Sequence, residues 1–83
     1  MYIVYILYSS TFNKIYIGYT SDLNARLLSH NKLGTKGWTI KYRPWHLMHT
    51  ETFETKTEAL LREKELKGAK SREWIWNEII KKN

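Results

Sequence analysis

The chain contains no cysteine, which excludes disulfides, thiolate nucleophiles and thiolate-bound metal sites. It also has no apolar run near the roughly 18 residues of a membrane-spanning helix. Its first residues, "MYIVYILYSS", lack both the basic leader and the cleavage site of a signal peptide. These absences predict a soluble, cytoplasmic protein without a membrane partner.

Acidic residues are missing between Asp22 and Glu51. Five basic residues lie in that stretch: Arg26, Lys32, Lys36, Lys41 and Arg43. A net charge of +6 that is clustered in this way is typical of a protein that binds a polyanion. The last four of these residues are therefore predicted to contact a polyanion, with nucleic acid as the expected one, although charge alone does not separate nucleic acid from an anionic membrane surface. A solvated basic loop that only maintains solubility is the alternative.

Three runs rich in β-branched and aromatic residues predict strands over residues 2–8, 14–19 and 44–53. The short polar segment "SSTFN" between the first two indicates a β-hairpin with a loop longer than the tightest kind. Pro44 suits the first residue of the third strand, where its missing N–H costs least. Residues 32–43 contain two glycines and several charges and are interpreted as a loop.

Helical signals separate and follow the predicted strands. Residues 20–31 offer three competing N-caps followed by leucines at helical spacing. Residues 55–68 begin with a capping box, Thr55 with Glu58, and Ser71 is a candidate cap for a last helix. One domain spanning the 83 residues is expected, of the α/β (α+β) class: a small three-stranded antiparallel sheet flanked by about three helices.

Polar residues occupy apolar positions on two of the predicted helices. On the first, His30 lies beside Leu23 on the arc that faces the sheet, with Arg26 at its edge. On the second, Glu63 lies within the apolar arc, where a carboxylate is costly unless it is paired, hydrogen-bonded or bound to a metal. The alternatives are that His30 is an ordinary core histidine, that Arg26 extends to solvent, and that Glu63 forms a structural ion pair with Arg26.

Tyr5 and Tyr16 lie on the two strands of the predicted hairpin, so their hydroxyls are expected to emerge at one place. With Arg26, His30 and Glu63 directed at the same patch, this set suits hydrolysis of a phosphodiester. Arginine neutralises charge on the phosphate, and a glutamate holds a divalent cation, preferably Mg²⁺ with Mn²⁺ as the alternative. The histidine or a tyrosine orients or deprotonates the attacking water, and the residues alone do not identify which is the base.

Four short segments occur in a recognisable order: Ile3-Val4-Tyr5, Tyr16-Ile17-Gly18, "TSDLNARLLSH" and "EALLRE". Together they resemble the GIY-YIG nucleases over almost the whole chain. The resemblance implies that Arg26 is the catalytic arginine, that His30 takes a position usually held by His or Tyr, and that Glu63 is the single metal ligand.

The resemblance is closest to small stand-alone members of the family that consist of little more than the catalytic module. It implies a metal-dependent endonuclease of low sequence specificity, active in DNA repair or processing, with DNA expected as substrate ahead of RNA. A larger protein partner is a candidate source of specificity. Gly18, which lacks a side chain, is expected to let substrate or backbone approach closely.

Two other functions fit the same sequence. A nucleic-acid-binding module with little or no turnover is one of them, because Tyr19 stands where some relatives carry a lysine. An interaction module of a repair complex is the other, indicated by three tryptophans that are predicted to be exposed: Trp38, Trp45 and Trp76.

Overall fold

A three-stranded antiparallel sheet forms the centre of the computed structural model, which describes residues 1–34 and 37–81. The central strand β1 (Tyr2–Ser9) pairs on one side with β2 (Lys14–Thr20) and on the other with β3 (His46–Phe53). The predicted hairpin and the predicted fold class are confirmed. The third strand begins two residues later than expected, because Pro44 precedes it and has no N–H to donate to the sheet.

Side chains of β1 alternate between two apolar clusters, one on each face of the sheet. Val4 and Ile6 belong to one cluster, and Tyr5 and Leu7 belong to the other. All four residues are at most 1% exposed. A strand that is buried on both faces needs a continuous apolar run rather than an alternating one, which is why "YIVYILY" contains so few polar residues.

Two helices cover the face that carries Val4 and Ile6. The first, α2 (Lys56–Leu66), begins with the predicted capping box, in which the Thr55 side chain accepts from the Glu58 backbone N–H. The second, α3 (Ala69–Trp74), continues as a π-helical segment over Ile75–Ile80. Four of their side chains are buried against the sheet: Ala59, Leu66, Ile75 and Ile79.

The start of α3 differs from the prediction. Gly68 is its N-cap, and Ser71 lies within the helix, so the prediction that Ser71 caps it was wrong. Only Lys67 and Gly68 separate α2 from α3, because Gly68 adopts an extended conformation that ends one helix and begins the next. Among the helices that the structure describes, none combines the length and the apolar character needed to cross a membrane.

The opposite face of the sheet is covered by α1 (Leu23–Leu28) and by the segments that follow it. Asp22 caps α1, which continues as a π-helical turn over Ser29–Leu33. A 3₁₀ helix, Trp38–Tyr42, lies within the region that was predicted to be a loop. Its position depends on tertiary contacts rather than on local helix signals, because its start has no side-chain cap.

Two side chains fasten these segments to each other. The Asn31 amide bonds both backbone groups of Trp45, accepting from its N–H at 2.7 Å and donating to its carbonyl at 3.0 Å. The Arg43 guanidinium donates to the carbonyls of His30, Gly34 and Ser29, at 2.5, 2.7 and 3.1 Å. Carbonyls at the end of a helix need such partners, so Arg43 fixes the turn on which His30 sits.

An ion-pair network joins β3 to α2. Glu51 accepts two hydrogen bonds from Arg62, at 2.7 Å from Nε and 3.1 Å from Nη2, and it contacts His49 Nε2 at 2.8 Å. Arg62 also pairs with Glu65 on its own helix. Since Arg62 directly precedes Glu63, this network anchors to the sheet the turn of α2 that carries Glu63.

Replacing Glu51 by Gln tests this network. Its hydrogen bond with Arg62 holds the pKa of Glu51 below the ordinary value, so the ionised carboxylate contributes stability above that value, and the contribution is lost as the pH falls through the lowered pKa. We expect Glu51→Gln to reduce the free energy of unfolding by about 1 kcal/mol near pH 7. The difference from wild type should shrink as the pH is lowered to about 3.

Urea unfolding followed by tryptophan fluorescence measures both free energies across this range. A difference of the same size at every pH would contradict the proposed role of the carboxylate charge.

Candidate active site

The hairpin register brings Tyr5 and Tyr16 to the same face of the sheet. Tyr5 pairs with Gly18, and Leu7, the next residue of β1 on that face, pairs with Tyr16. The two tyrosine rings are therefore diagonal neighbours, with centroids 6.2 Å apart. The side chains of the two tyrosines converge as the alternation of the strands predicted.

Gly18 provides the space that the Tyr5 ring occupies. A Cβ atom at residue 18 would lie 2.7 Å from the Tyr5 hydroxyl oxygen, 2.8 Å from Cζ and 3.0 Å from the Tyr16 ring. No side chain fits at that distance without displacing one of the rings. The close approach expected at Gly18 is thus made by Tyr5 itself.

His30 is buried between Tyr5 and the 3₁₀ helix. Its Nε2 atom lies 2.9 Å from the Tyr5 hydroxyl, and its Nδ1 atom lies 3.1 Å from the hydroxyl of Thr39. The imidazole also packs against the Tyr16 ring, with centroids 4.8 Å apart. Both ring nitrogens have partners, so the orientation of the imidazole is fixed from two sides.

Burial is the main influence on the protonation of His30 and Tyr5. It lowers the pKa of His30, and the positive charges of Arg26 and Arg43 lower it further. The pKa of Tyr5 is raised, first by burial and then by the neighbouring Tyr16. Near neutral pH the imidazole is therefore uncharged and the Tyr5 phenol keeps its proton, so one ring nitrogen of His30 accepts a hydrogen bond while the other donates one.

Arg26 lies at the edge of the site with its side chain exposed. Within residues 1–34 and 37–81 it makes no ion pair, although its charge acts on both His30 and Tyr5. The helix thus buries His30, as predicted, and leaves the guanidinium four residues earlier facing solvent. A cation in this position is available to an anionic ligand.

Glu63 is carried by α2, whose apolar residues pack on the other face of the sheet. Its side chain is 18% exposed and pairs with Lys67 at 3.7 Å. No ion pair with Arg26 occurs among the described residues, so the alternative of a structural Glu63–Arg26 pair is wrong. The negative charge of Glu63 acts on the Tyr5 hydroxyl, which places the carboxylate within electrostatic range of the tyrosine pair.

The predicted nucleic-acid contacts differ in their surroundings. Lys32 and Lys41 are exposed, whereas Arg43 is occupied by the three carbonyls described above. Lys36 lies outside the described residues. Of the three predicted contacts that the structure describes, two therefore present their charge to solvent, and Arg43 uses its donors within the protein.

A cleft of about 350 Å³ opens beside these groups, and its outer wall was not predicted from the sequence. Tyr16, Arg26 and His30 line it together with Trp38 and Thr39 of the 3₁₀ helix. Tyr5 is 1% exposed and is not among the lining residues. Tyr16 and His30 therefore face the cleft, and Tyr5 supports them from behind.

The three tryptophans that were predicted to be exposed behave differently. Trp45 is 3% exposed and donates its indole N–H to the Thr39 carbonyl at 2.8 Å, so the prediction of an exposed Trp45 was wrong. Trp76 is half-buried against the apolar cluster that contains Val4 and Ile6. Trp38 is exposed, and it lies in the cleft rather than on an open face.

Comparison with known proteins places this arrangement in a family. The family model described as the GIY-YIG catalytic domain matches residues 1–77. UPF0213 proteins of the Staphylococcus aureus strains Mu3 and N315 are each 45% identical over 64 residues, which is 77% of this chain and 77% of the relative.

A solved structure is similar as well. The solution NMR structure of a UPF0213 protein from Bacillus halodurans is 30% identical and superposes with a TM-score of 0.54, covering 90% of this chain and 82% of that one. The three-stranded antiparallel sheet with its helices is thus shared with a solved relative.

Replacing Gly18 by Ala tests the packing of the tyrosine pair. The added methyl would displace the Tyr5 ring and open His30 to water, so the pKa of His30 should rise towards its ordinary value and the free energy of unfolding should fall by about 1–3 kcal/mol. NMR titration of the histidines and urea unfolding measure the two effects.

The matched variant Tyr5→Phe removes the hydroxyl without crowding the strand. It leaves His30 Nε2 without its hydrogen-bond partner, so the pKa of His30 should again rise and the free energy of unfolding should fall by about 1–3 kcal/mol. An unchanged His30 titration in Gly18→Ala would mean that the ring accommodates the methyl in place.

Proposed function

This chain belongs to the GIY-YIG family, a family of nuclease-like catalytic domains, and we propose that it is a metal-dependent endonuclease that hydrolyses phosphodiester bonds with low sequence specificity. One observation carries the proposal. An arginine without an ion-pair partner among the described residues lines the same cleft as Tyr16 and His30.

Arg26 is the proposed phosphate ligand. Its guanidinium is exposed at the cleft and presents parallel N–H donors that match two phosphate oxygens. A donor held in place before the reaction stabilises the charge that develops on the phosphate as water attacks. A lysine at this position would keep the charge but lose the paired geometry.

Tyr16, Tyr5 and His30 provide a proton path away from the attacking water. Tyr16 faces the cleft and interacts with the Tyr5 side chain, whose hydroxyl bonds His30 Nε2. As water attacks phosphorus, the P–O bond to the leaving oxygen breaks, and that oxygen takes a proton from solvent. The proton of the attacking water passes to the Tyr16 oxygen, the Tyr16 proton passes to Tyr5, and the Tyr5 proton passes to Nε2. In the tautomer that carries its proton on Nδ1, the Thr39 hydroxyl accepts from Nδ1–H, and Nε2 is free to receive the proton from Tyr5.

A neutral histidine is the suitable terminus for this path. The pKa of His30 lies below its ordinary value, so the imidazole has an unprotonated nitrogen near pH 7, whereas the raised pKa of Tyr5 prevents that phenol from acting as the base alone. Negative charge on the bound phosphate favours the imidazolium once it forms. Tyr5 acts through its two neighbours, since it does not line the cleft.

Glu63 suits a site for Mg²⁺ or Mn²⁺ that depends on one protein carboxylate. The described residues contain no cluster of three or more His, Asp or Glu side chains, and a hard cation at Glu63 would complete its shell with water and phosphate oxygens. Lys67 is its only partner among the ion pairs of the described residues, and that exposed side chain is free to move aside. Such an ion supplies Lewis-acid stabilisation of charge on the phosphate.

Low sequence specificity follows from the chemistry of these contacts. Exposed Lys32 and Lys41 and the guanidinium of Arg26 recognise phosphates, which carry no sequence information. DNA ahead of RNA, a role in repair or processing, a cytoplasmic location and a larger partner that adds specificity all stay predictions.

The alternative of a nucleic-acid-binding module with little or no turnover was based on Tyr19. Tyr19 pairs with Val4 and packs on the opposite face of the sheet from Tyr5 and Tyr16. A side chain at residue 19 therefore points away from the tyrosine pair.

Cleavage of labelled DNA and RNA in Mg²⁺, in Mn²⁺ and in EDTA tests the proposal. EDTA should abolish cleavage, and Arg26→Ala and Glu63→Gln should each reduce the rate by about 10²–10³-fold, because each removes stabilisation of the transition state. Arg72→Ala is the matched control, since it removes an exposed arginine from α3 and should leave the rate unchanged. Metal-independent cleavage, or full activity of both variants, would contradict the assignment.

The pH dependence of cleavage follows from His30. Protonation of the imidazole removes the acceptor for the proton path, so the rate should fall on the acid side. Because the pKa of His30 is lowered by burial and by two arginines, the midpoint of that fall should lie below the ordinary histidine value of 6.5. The control variant Arg26→Lys retains the positive charge, so the midpoint of its pH–rate profile should also lie below 6.5. A midpoint above 6.5 in wild type would exclude His30 as the proton acceptor.

A further inference from the structure

Trp38 is exposed at the wall of the cleft that Arg26 and His30 also line. It is 46% exposed, although large aromatic side chains usually gain from burial. Thr39 and Ile40, which follow it in the 3₁₀ helix, are both half-buried. An exposed indole inside a cleft is a contact surface for a ligand with an apolar, flat face.

The indole is held in place by other rings. Its centroid lies 4.7 Å from that of Tyr42, 5.7 Å from that of Trp45 and 6.4 Å from that of Tyr16. The plane of Trp38 is inclined by only 28° to the plane of Tyr16, so the two rings form an approximate stack. Trp45 is itself buried and hydrogen-bonded, so one of the rings that Trp38 packs against belongs to the core of the domain.

The charge beside this platform selects the kind of ligand. Arg26 lines the same cleft without an ion-pair partner among the described residues, and exposed Lys41 follows closely on Trp38 in the 3₁₀ helix. A flat apolar surface next to a free guanidinium matches a nucleotide, which presents an aromatic base and an anionic phosphate. A peptide with an acidic side chain would satisfy the charge but would not need the stacked rings.

We propose that the cleft binds one unpaired nucleobase stacked on Trp38, beside the phosphate held by Arg26, so that the preferred substrate is single-stranded or locally unpaired at the cleavage position. This inference rests on the proposed nuclease function and names its substrate class. Bases in a duplex have both faces covered by their neighbours, and only an unstacked base exposes a face to an aromatic side chain.

Binding in EDTA tests the stacking without cleavage. Fluorescence anisotropy is measured with three probes: a single-stranded DNA oligomer, an oligomer of the same length made of abasic sites, and a blunt duplex. Stacking of one base is worth about 1–3 kcal/mol, so Trp38→Ala should weaken binding of the base-bearing single strand by about 5-fold to 150-fold. It should leave binding of the abasic oligomer and of the duplex unchanged.

Further variants separate stacking from folding. Trp38→Phe keeps an aromatic ring and should retain most of the affinity, whereas Trp38→Leu keeps apolar bulk and should lose it. Trp74→Ala removes a comparably exposed tryptophan from the opposite face of the sheet and should bind all three probes like wild type.

Three results would overturn the inference: equal weakening for base-bearing and abasic strands, unchanged binding in Trp38→Leu, or wild-type binding of the single strand no tighter than that of the duplex. Cleavage by wild type in Mg²⁺ is measured separately on the same probes. If wild type cleaves while Trp38→Ala and Trp38→Leu bind the base-bearing single strand like wild type, the nuclease function stands and the stacking site is excluded. If wild type binds as predicted but does not cleave, the stacking site stands and the catalytic proposal fails.

Discussion

The hydrogen bond between the Tyr5 hydroxyl and His30 is the interaction on which the site depends. It joins the central strand to the end of the first helix, and both partners are almost completely buried. Leaving either group unpaired at that depth would cost about 1–3 kcal/mol. Gly18 makes the bond geometrically available, because a side chain there would push the Tyr5 ring off the strand. The wall of the cleft is thus a consequence of packing within the sheet.

Charges of opposite sign act on this buried pair from two sides. Arg26 favours an ionised phenol at Tyr5, and Glu63 opposes it, so the polar pair lies between a free cation and a carboxylate. The two charged groups belong to helices that pack on opposite faces of the sheet. No ion pair joins the two groups among the described residues, so their charges do not neutralise each other.

Regular elements carry the part of the site that the sequence could predict. Tyr5 and Tyr16 follow from strand alternation, and His30 follows from helical spacing with the leucines of α1, because both periodicities are local. Thr39 and Trp38 could not be predicted in this way. They lie on a short 3₁₀ helix without a side-chain cap, whose place is fixed by contacts with distant residues such as Trp45.

Two arginines in the basic stretch explain why charge counting overestimates a binding surface. Arg43 and Arg26 contribute equally to the net charge, yet Arg43 donates to three backbone carbonyls while Arg26 has no ion-pair partner among the described residues. The carbonyls at the end of the π-helical turn require donors, and a guanidinium supplies several at once. Arg43 therefore supports His30 structurally and lowers its pKa at the same time. A cluster of positive charge in a sequence thus contains both cations that hold the site together and cations that meet the ligand, and only their hydrogen-bond partners distinguish the two.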